Sequence, residues 1–313
     1  KEYDLYNEVF QTGFEHLHNL SIRGGSEKIA YRLSGMYSNE DGIMITKKDS
    51  YSRYNFNAYL NAELFKNFNA SVNVFYKKVN RLTPANMGEM FYRALTFGSY
   101  LNPGETIASD GKSIPYGTPN NYLKYEDPSR RYEENLRLFG KLEYNPLPGW
   151  NITAEYTFSK NNLNNKNAQN RNRYMNPNNF NTEYLFNQDF YTRSNSLTDY
   201  NALNLYTSYS RALDDHNLKV LVGTNYEKSY NESFSATRYG ILSPESPSLG
   251  TSTGTQNISD SFSQYAILGY FGRINYDYKN RYLLELNGRL DGSSRFLKGS
   301  RFGFFPSVSA GWN

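Results

Sequence analysis

Polar and apolar residues alternate along most of this chain. Over 29–39, Tyr31, Leu33 and Tyr37 share one face and Arg32, Ser34 and Ser38 the other. Over 51–64, Tyr54, Phe56 and Leu60 oppose Arg53, Asn55 and Asn57. The same two-residue period recurs at 69–80, at 136–144, at 152–158, through Leu203, Leu205 and Tyr209, through Leu218 to Tyr226, and through Ala266 to Tyr276. Near the end Leu284, Leu286 and Leu290 oppose Glu285, Asn287 and Arg289. Successive side chains of a strand point to opposite faces, so each run predicts a strand with one apolar face. About eleven such strands are expected. Short turns at 25–28, 65–68, 146–149, 214–215 and 279–280 alternate with long connections near 82–130, 161–193, 234–260 and 291–303. Short turns on one side and long loops on the other predict an all-β, antiparallel up-and-down transmembrane barrel.

Composition agrees once the two faces are separated. Mean hydropathy is −0.75, yet 17% of the 313 residues are aromatic, with 30 Tyr and 20 Phe. Disordered chains lack such aromatic content, whereas lumen-facing polar residues lower a barrel's average. No apolar run is long enough for a transmembrane helix. Tyr51, Tyr76, Tyr144, Trp150, Tyr226, Tyr282 and Trp312 lie near strand ends, where interfacial girdles are expected. A net charge of +4 without blocks of like sign gives no nucleic-acid stripe.

Candidate chemistry is sparse. There is no Cys and there are three His. His16 and His18 share a face, but no third metal ligand is spaced to join them. Glu133 and Glu134 fall on opposite faces of a strand and cannot act as a pair. No cofactor and no catalytic residue are expected. Asp-Gly is a turn former, so Asp291 is expected to order a loop by pairing with Arg295. The Pro-rich stretch 82–130 cannot be central wall and is expected outside the membrane.

Two stretches carry a family resemblance. Asp291-Gly292-Ser293-Ser294-Arg295-Phe296, with Phe302-Gly303-Phe304-Phe305-Pro306-Ser307-Val308-Ser309-Ala310-Gly311-Trp312, resembles a signature of SusC/RagA-type TonB-dependent transporters. The run 19–28, through Gly24 and Gly25, and then Tyr31, Asp41-Gly42-Ile43 and Arg53-Tyr54-Asn55, is similar to the start of that family's barrel. The resemblance implies a 22-stranded outer-membrane barrel with an N-terminal plug, of which this chain would be about half, 1–313 being barrel throughout. It further implies energy-coupled import of oligosaccharides or peptides, with TonB engaged through a segment absent here and a SusD-like lipoprotein as lid. A passive porin-like channel and a non-membrane, glycan-binding β protein are the alternatives.

Binding is expected on the long loops, since loops on a rigid scaffold carry function disproportionately. Tyr92, Tyr100, Tyr116, Tyr122 and Asn121 come from the first long loop; Arg171, Arg173 and Tyr174 come from the second. Aromatic rings can stack on sugar faces while Asn and Arg meet hydroxyls, and peptides would use the same groups. Packing of the loops against one another is the competing role for each. Lys124, Arg130, Arg131, Arg171 and Arg173 would suit acidic ligands.

Overall fold

The computed structural model describes residues 4–84, 92, 102–184 and 186–313. Eleven strands form one antiparallel sheet among them. In chain order these are β1 (Glu15–Gly25), β2 (Ile29–Asp41), β3 (Ser50–Phe65), β4 (Phe68–Pro84), β7 (Pro128–Leu147), β8 (Trp150–Gln169), β11 (Phe190–Leu213), β12 (His216–Tyr239), β13 (Gln256–Tyr278), β14 (Tyr282–Ser293) and β15 (Phe302–Trp312). Each pairs only with its predecessor and successor in the sheet, and β1 and β15 are its edges. Two small hairpins, β5 (Glu105–Ile107) with β6 (Ser113–Pro115) and β9 (Arg173–Met175) with β10 (Thr182–Tyr184), sit in the long connections. Helix α1 (Leu5–Val9) precedes the sheet, and helix α2 (Pro119–Tyr125) lies between β6 and β7.

The short connections all fall at one rim. Lys279 and Asn280 both adopt positive φ, 56° and 50°, the backbone a tight hairpin turn requires. Asp214, Asn67 and Gly149 supply positive φ at three other turns. The long connections all fall at the opposite rim, which is the external side of an outer-membrane barrel.

Register confirms the two faces. Val308, Leu286, Ile274, Val220, Tyr209 and Trp150 lie side by side across six strands. One row of the same face nearer the external side runs through Tyr226, Leu203 and Tyr156. Most of these outward side chains are well exposed, Val308 at 69% and Tyr156 at 48%, as a lipid-facing surface must be. At the short-turn rim the outward face is ringed by Phe68, Tyr144, Trp150, Tyr278, Tyr282 and Trp312. Trp150 Nε1 donates to Thr207 Oγ1 at 2.8 Å, and the Arg281 guanidinium lies over both Tyr282 and Trp312. Tyr51 is not part of a girdle: it shares its face with Arg53 and Asn55 and turns inward.

The strands run further than the alternation suggests. β8 continues to Gln169 and β11 starts at Phe190, so the second long connection is 170–189 rather than 161–193. Likewise β12 reaches Tyr239 and β13 starts at Gln256, leaving 240–255 rather than 234–260. The first connection shortens to 85–127, bounded by the facing pair Pro84 and Pro128, and the last to 294–301. Asn favours turns in isolation, but here it has neighbours on both sides. Asn195 Nδ2 donates to Asn162 Oδ1 at 2.7 Å and to Asn164 Oδ1 at 2.9 Å, satisfying amides across strands. Strands of 24 residues far exceed the roughly 9–11 that cross a bilayer, so the wall rises well above the membrane.

Asp291 and Gly292 are strand residues, not a turn. Asp291 pairs with Arg289 at 2.7 Å, and Arg295 lies 4.2 Å from the ring of Tyr265. The expected Asp291–Arg295 pair is therefore replaced by two contacts. At Gly292 the Phe302 ring, its partner across the ladder, lies over the glycine, 2.4 Å from where a Cβ would stand. Ser293 ends β14, where its Oγ accepts from the Arg295 backbone. Pro306 lies opposite Gly288 of β14 in the ladder.

Candidate functional site

Four segments converge above the external rim into a compact cap: α1, residues 42–49, residues 102–127 and residues 170–184. Val9, Met44, Tyr122, Leu123 and Tyr174 are buried together, with Phe10 and Tyr125 packed against them. The Tyr122 and Tyr174 rings meet edge-to-face at 4.7 Å. A second cluster joins Ala108, Ile114 and Met175, with Tyr116 alongside.

Local chemistry explains the cap's geometry. Pro119 starts α2 after an extended Thr118, as a first-turn proline does. The carbonyls at the other end of α2 are met by one side chain. Lys48 Nζ donates to the carbonyl oxygens of Leu123 (3.1 Å), Lys124 (2.7 Å) and Glu126 (2.5 Å). An ammonium has three donors, and a cation suits a helix C-terminus. Asn121 Nδ2 donates to Gly104 O at 3.1 Å and Tyr116 O at 2.9 Å, and Asn172 Nδ2 to Tyr125 O at 2.7 Å. Asn170 Nδ2 donates to Asp127 at 2.5 Å. Arg173 reaches Asp110 at 2.7 Å.

Burial shifts the charges inside this cap. Desolvation lowers the Lys48 pKa, opposed by Asp127 and Glu126. Desolvation likewise raises that of Asp127, opposed by Lys48 and Arg130 among others. Nearer the surface the effects reverse. Hydrogen bonds from Tyr125 and Ser113 hold Glu105 below the usual carboxylate range, and Arg173 does the same for Asp110.

The cap separates the sequence candidates. Tyr122, Asn121 and Tyr174 are 6%, 2% and 2% exposed, so they present no surface to a ligand and hold the loops together instead. Tyr116 is half-buried against the second cluster, and Arg173 is engaged by Asp110. Arg171 is exposed, stacked 3.9 Å over the Tyr184 ring. Tyr92 is 65% exposed, and Tyr100 lies outside the described residues. His16 and His18 lie 5.2 Å apart on the outward face, His16 also against Tyr37.

The inner wall holds polar groups that the loop-centred expectation passed over. Tyr206 Oη donates to Glu155 at 3.0 Å, and Asn204 Nδ2 to the same carboxylate at 3.2 Å. Asn225 Nδ2 donates to Asn204 at 2.6 Å, and Tyr200 Oη to Glu227 at 2.6 Å. Lys141 pairs with Glu143 at 2.8 Å. The signal was present: these residues occupy the alternate positions of the lipid-facing strands. The inner face of the wall is thus polar, rich in hydroxyls and amides, and the cap stands at its external end.

Comparison with known proteins places this architecture. TonB-dependent receptor P3 of Formosa agariphila is 27% identical over 99% of this chain and 31% of its own length. TonB-dependent receptor SusC of Bacteroides thetaiotaomicron is 24% identical over 99% of this chain and 32% of its own. Over nearly its whole length the chain is similar to TonB-dependent receptors of the SusC type. It is an outer-membrane β-barrel chain, spanning about a third of the length of these curated relatives. No family model matches it. The fold aligns with the RagAB peptide importer in its open-open state at a TM-score of 0.83, with 20% identity, over 99% of this chain and 35% of that one. It aligns with the ferric citrate transporter FecA at 0.57, with 10% identity, over 96% and 38%. The relatives carry receptor names, not enzyme names.

Proposed function

We propose that this stretch of barrel forms wall and outer cap of a TonB-driven importer of oligosaccharides or peptides, operating beneath a SusD-like surface lipoprotein. The observation that carries the reading is the two-faced wall topped by an interlocked cap. A lipid-facing exterior and a lumen of Tyr, Asn and Glu suit uptake of a polar, hydrogen-bonding solute. Exposed cap residues Arg171 and Tyr184 are proposed as first contacts, with Tyr116 beside them and Tyr206 and Asn204 as later ones along the wall; exposed Tyr92, and Tyr100, which lies outside the described residues, stay candidates from the first long connection. Arg173, held by Asp110, positions the β9–β10 hairpin that carries Tyr184.

The test is uptake and binding by the full-length transporter with its lipoprotein partner, offering peptide and oligosaccharide mixtures separately. Arg171→Ala with Tyr184→Ala is expected to weaken binding of the accepted class about tenfold, the scale of losing one well-placed contact. Tyr122→Phe keeps the packing and should leave binding unchanged. Unaltered uptake in the Arg171/Tyr184 double variant and in Tyr206→Phe would remove these residues from the substrate path.

A further inference from the structure

Cross-strand register brings three cations together on the outward face, above the lipid belt. Arg130 of β7 lies opposite Lys166 of β8, and Lys166 lies opposite Arg193 of β11. All three share the face of Leu138, Phe158 and Leu203. Like charges placed directly across a ladder are destabilising. Among the described residues, Arg130 and Arg193 make no hydrogen bond or ion pair, and the one contact of Lys166 is the Tyr132 ring, 5.7 Å away. Asp127, the acid that feels Arg130, is bonded to Asn170 and shared with Lys48. Nearer the membrane, on the same face, two lysines are matched by acids across the ladder: Lys78 pairs with Glu134 at 3.4 Å and Lys160 with Asp199 at 3.7 Å. Arg238, further along the wall, is taken up by the Leu249 and Gly254 carbonyls. What sets the row apart is that three cations stand in adjacent register positions with no acid among them.

We propose that Arg130, Lys166 and Arg193 form a site for a phosphate carried on the sugar core of an outer-leaflet glycolipid. Position and spacing select this occupant. Adjacent strands are about 4.8 Å apart, so the three heads span roughly 10 Å, a fit to one or two phosphates with Arg donating in pairs. On their own strands Arg130 lies six residues beyond Leu136, Lys166 eight beyond Phe158 and Arg193 four beyond Leu197, the last outward aliphatic or Phe side chains before the row. At about 3.3 Å per residue and a tilt near 45°, that is roughly 9–19 Å above the last outward apolar residue of each strand. A phospholipid headgroup layer is only about 5–8 Å deep, so a phosphate at this height needs a sugar-bearing lipid beneath it. The outward direction turns the row away from the lumen and from any solute in transit.

The test uses full-length transporter extracted from outer membranes, wild type and the R130Q/K166Q/R193Q variant. Three probes are added after delipidation: rough lipopolysaccharide with a phosphorylated core, the same lipid chemically dephosphorylated, and inorganic phosphate. The phosphorylated lipid should raise the wild-type melting midpoint and be retained through gel filtration. The triple variant should lose most of that shift while melting no lower than wild type without lipid, since its mutual repulsion is gone. If the triple variant fails to fold, Lys166→Gln alone should retain the lipid about tenfold less well, with a shallower salt dependence. Equal retention by variant and wild type would overturn the site. So would equal stabilisation by the dephosphorylated lipid or by inorganic phosphate alone. Loss of the co-purifying lipoprotein with lipid retention intact would assign the row to a protein partner and refute the lipid reading.

Discussion

Placing arginine at successive heights on β14 tests the facing and the depth of the wall together. On the outward face the lipid belt of this strand runs from Tyr282, in the lower aromatic ring, to Gly292, level with Tyr226 and Phe302. Ten residues at about 3.3 Å span roughly 33 Å along the strand, or about 25 Å vertically at the usual barrel tilt, the height of the apolar band. Leu286 lies four residues up, about 10 Å above the lower edge and close to the midplane. Leu284 and Leu290 each lie about 5 Å from an edge by the same measure. Leu286→Arg should therefore cost roughly 2–4 kcal/mol, and Leu284→Arg and Leu290→Arg about 1 kcal/mol each. Ser307→Arg, on the inward face of β15, should stay within about 0.5 kcal/mol. The assay is equilibrium folding of the full-length barrel into phospholipid vesicles, followed by tryptophan fluorescence. A flat profile over the three leucines would refute the depth assignment, and a costly Ser307→Arg beside a harmless Leu286→Arg would invert the faces.

Two further outcomes concern the cap. Lys48→Met removes three charge-assisted bonds from the end of α2 and should weaken local cap stability by about 1.5–3 kcal/mol; faster amide exchange over 119–126 with an unchanged global melting point is the expected signature, and unchanged exchange would count against the role of Lys48. Glu105 and Asp110 have folded pKa values depressed below their unfolded ones, so their contribution is present above the unfolded values of roughly 4 and is lost as pH falls through the folded values. Intrinsic-rate-corrected exchange of amides 104–117 should be constant from pH 7 to pH 5 and rise below about pH 4; loosening already at pH 6 would contradict this assignment.

The wall was readable because lipid on one side and water on the other impose a strict two-residue period, and Leu284, Leu286 and Leu290 obey it. Its upper limits were not, because above the membrane both faces meet water and the apolar half of the pattern disappears. Residues 161–169 read as loop for this reason, although their amides are satisfied across neighbouring strands. In the cap, sequence could place Tyr122 and Tyr174 in loops but not choose between ring-to-ring packing and ring-to-ligand contact. That choice depends on Val9 and Met44, which arrive from distant parts of the chain. Asp291 was read by its local turn preference, whereas Arg289, two residues away on the same strand face, offers its carboxylate a nearer cation.

Every wall strand touches only its sequence neighbours, while Val9 and Tyr174 of the cap are separated by more than half of the chain. The two parts therefore have different assembly schedules. Hairpins can be added to the growing sheet one at a time, each templated by the strand before it and leaving one new edge for the next. The cap has no such increments: its core is incomplete until β9 has been laid down, so it closes only after β1 to β8 are in place and before β11 to β15 are added.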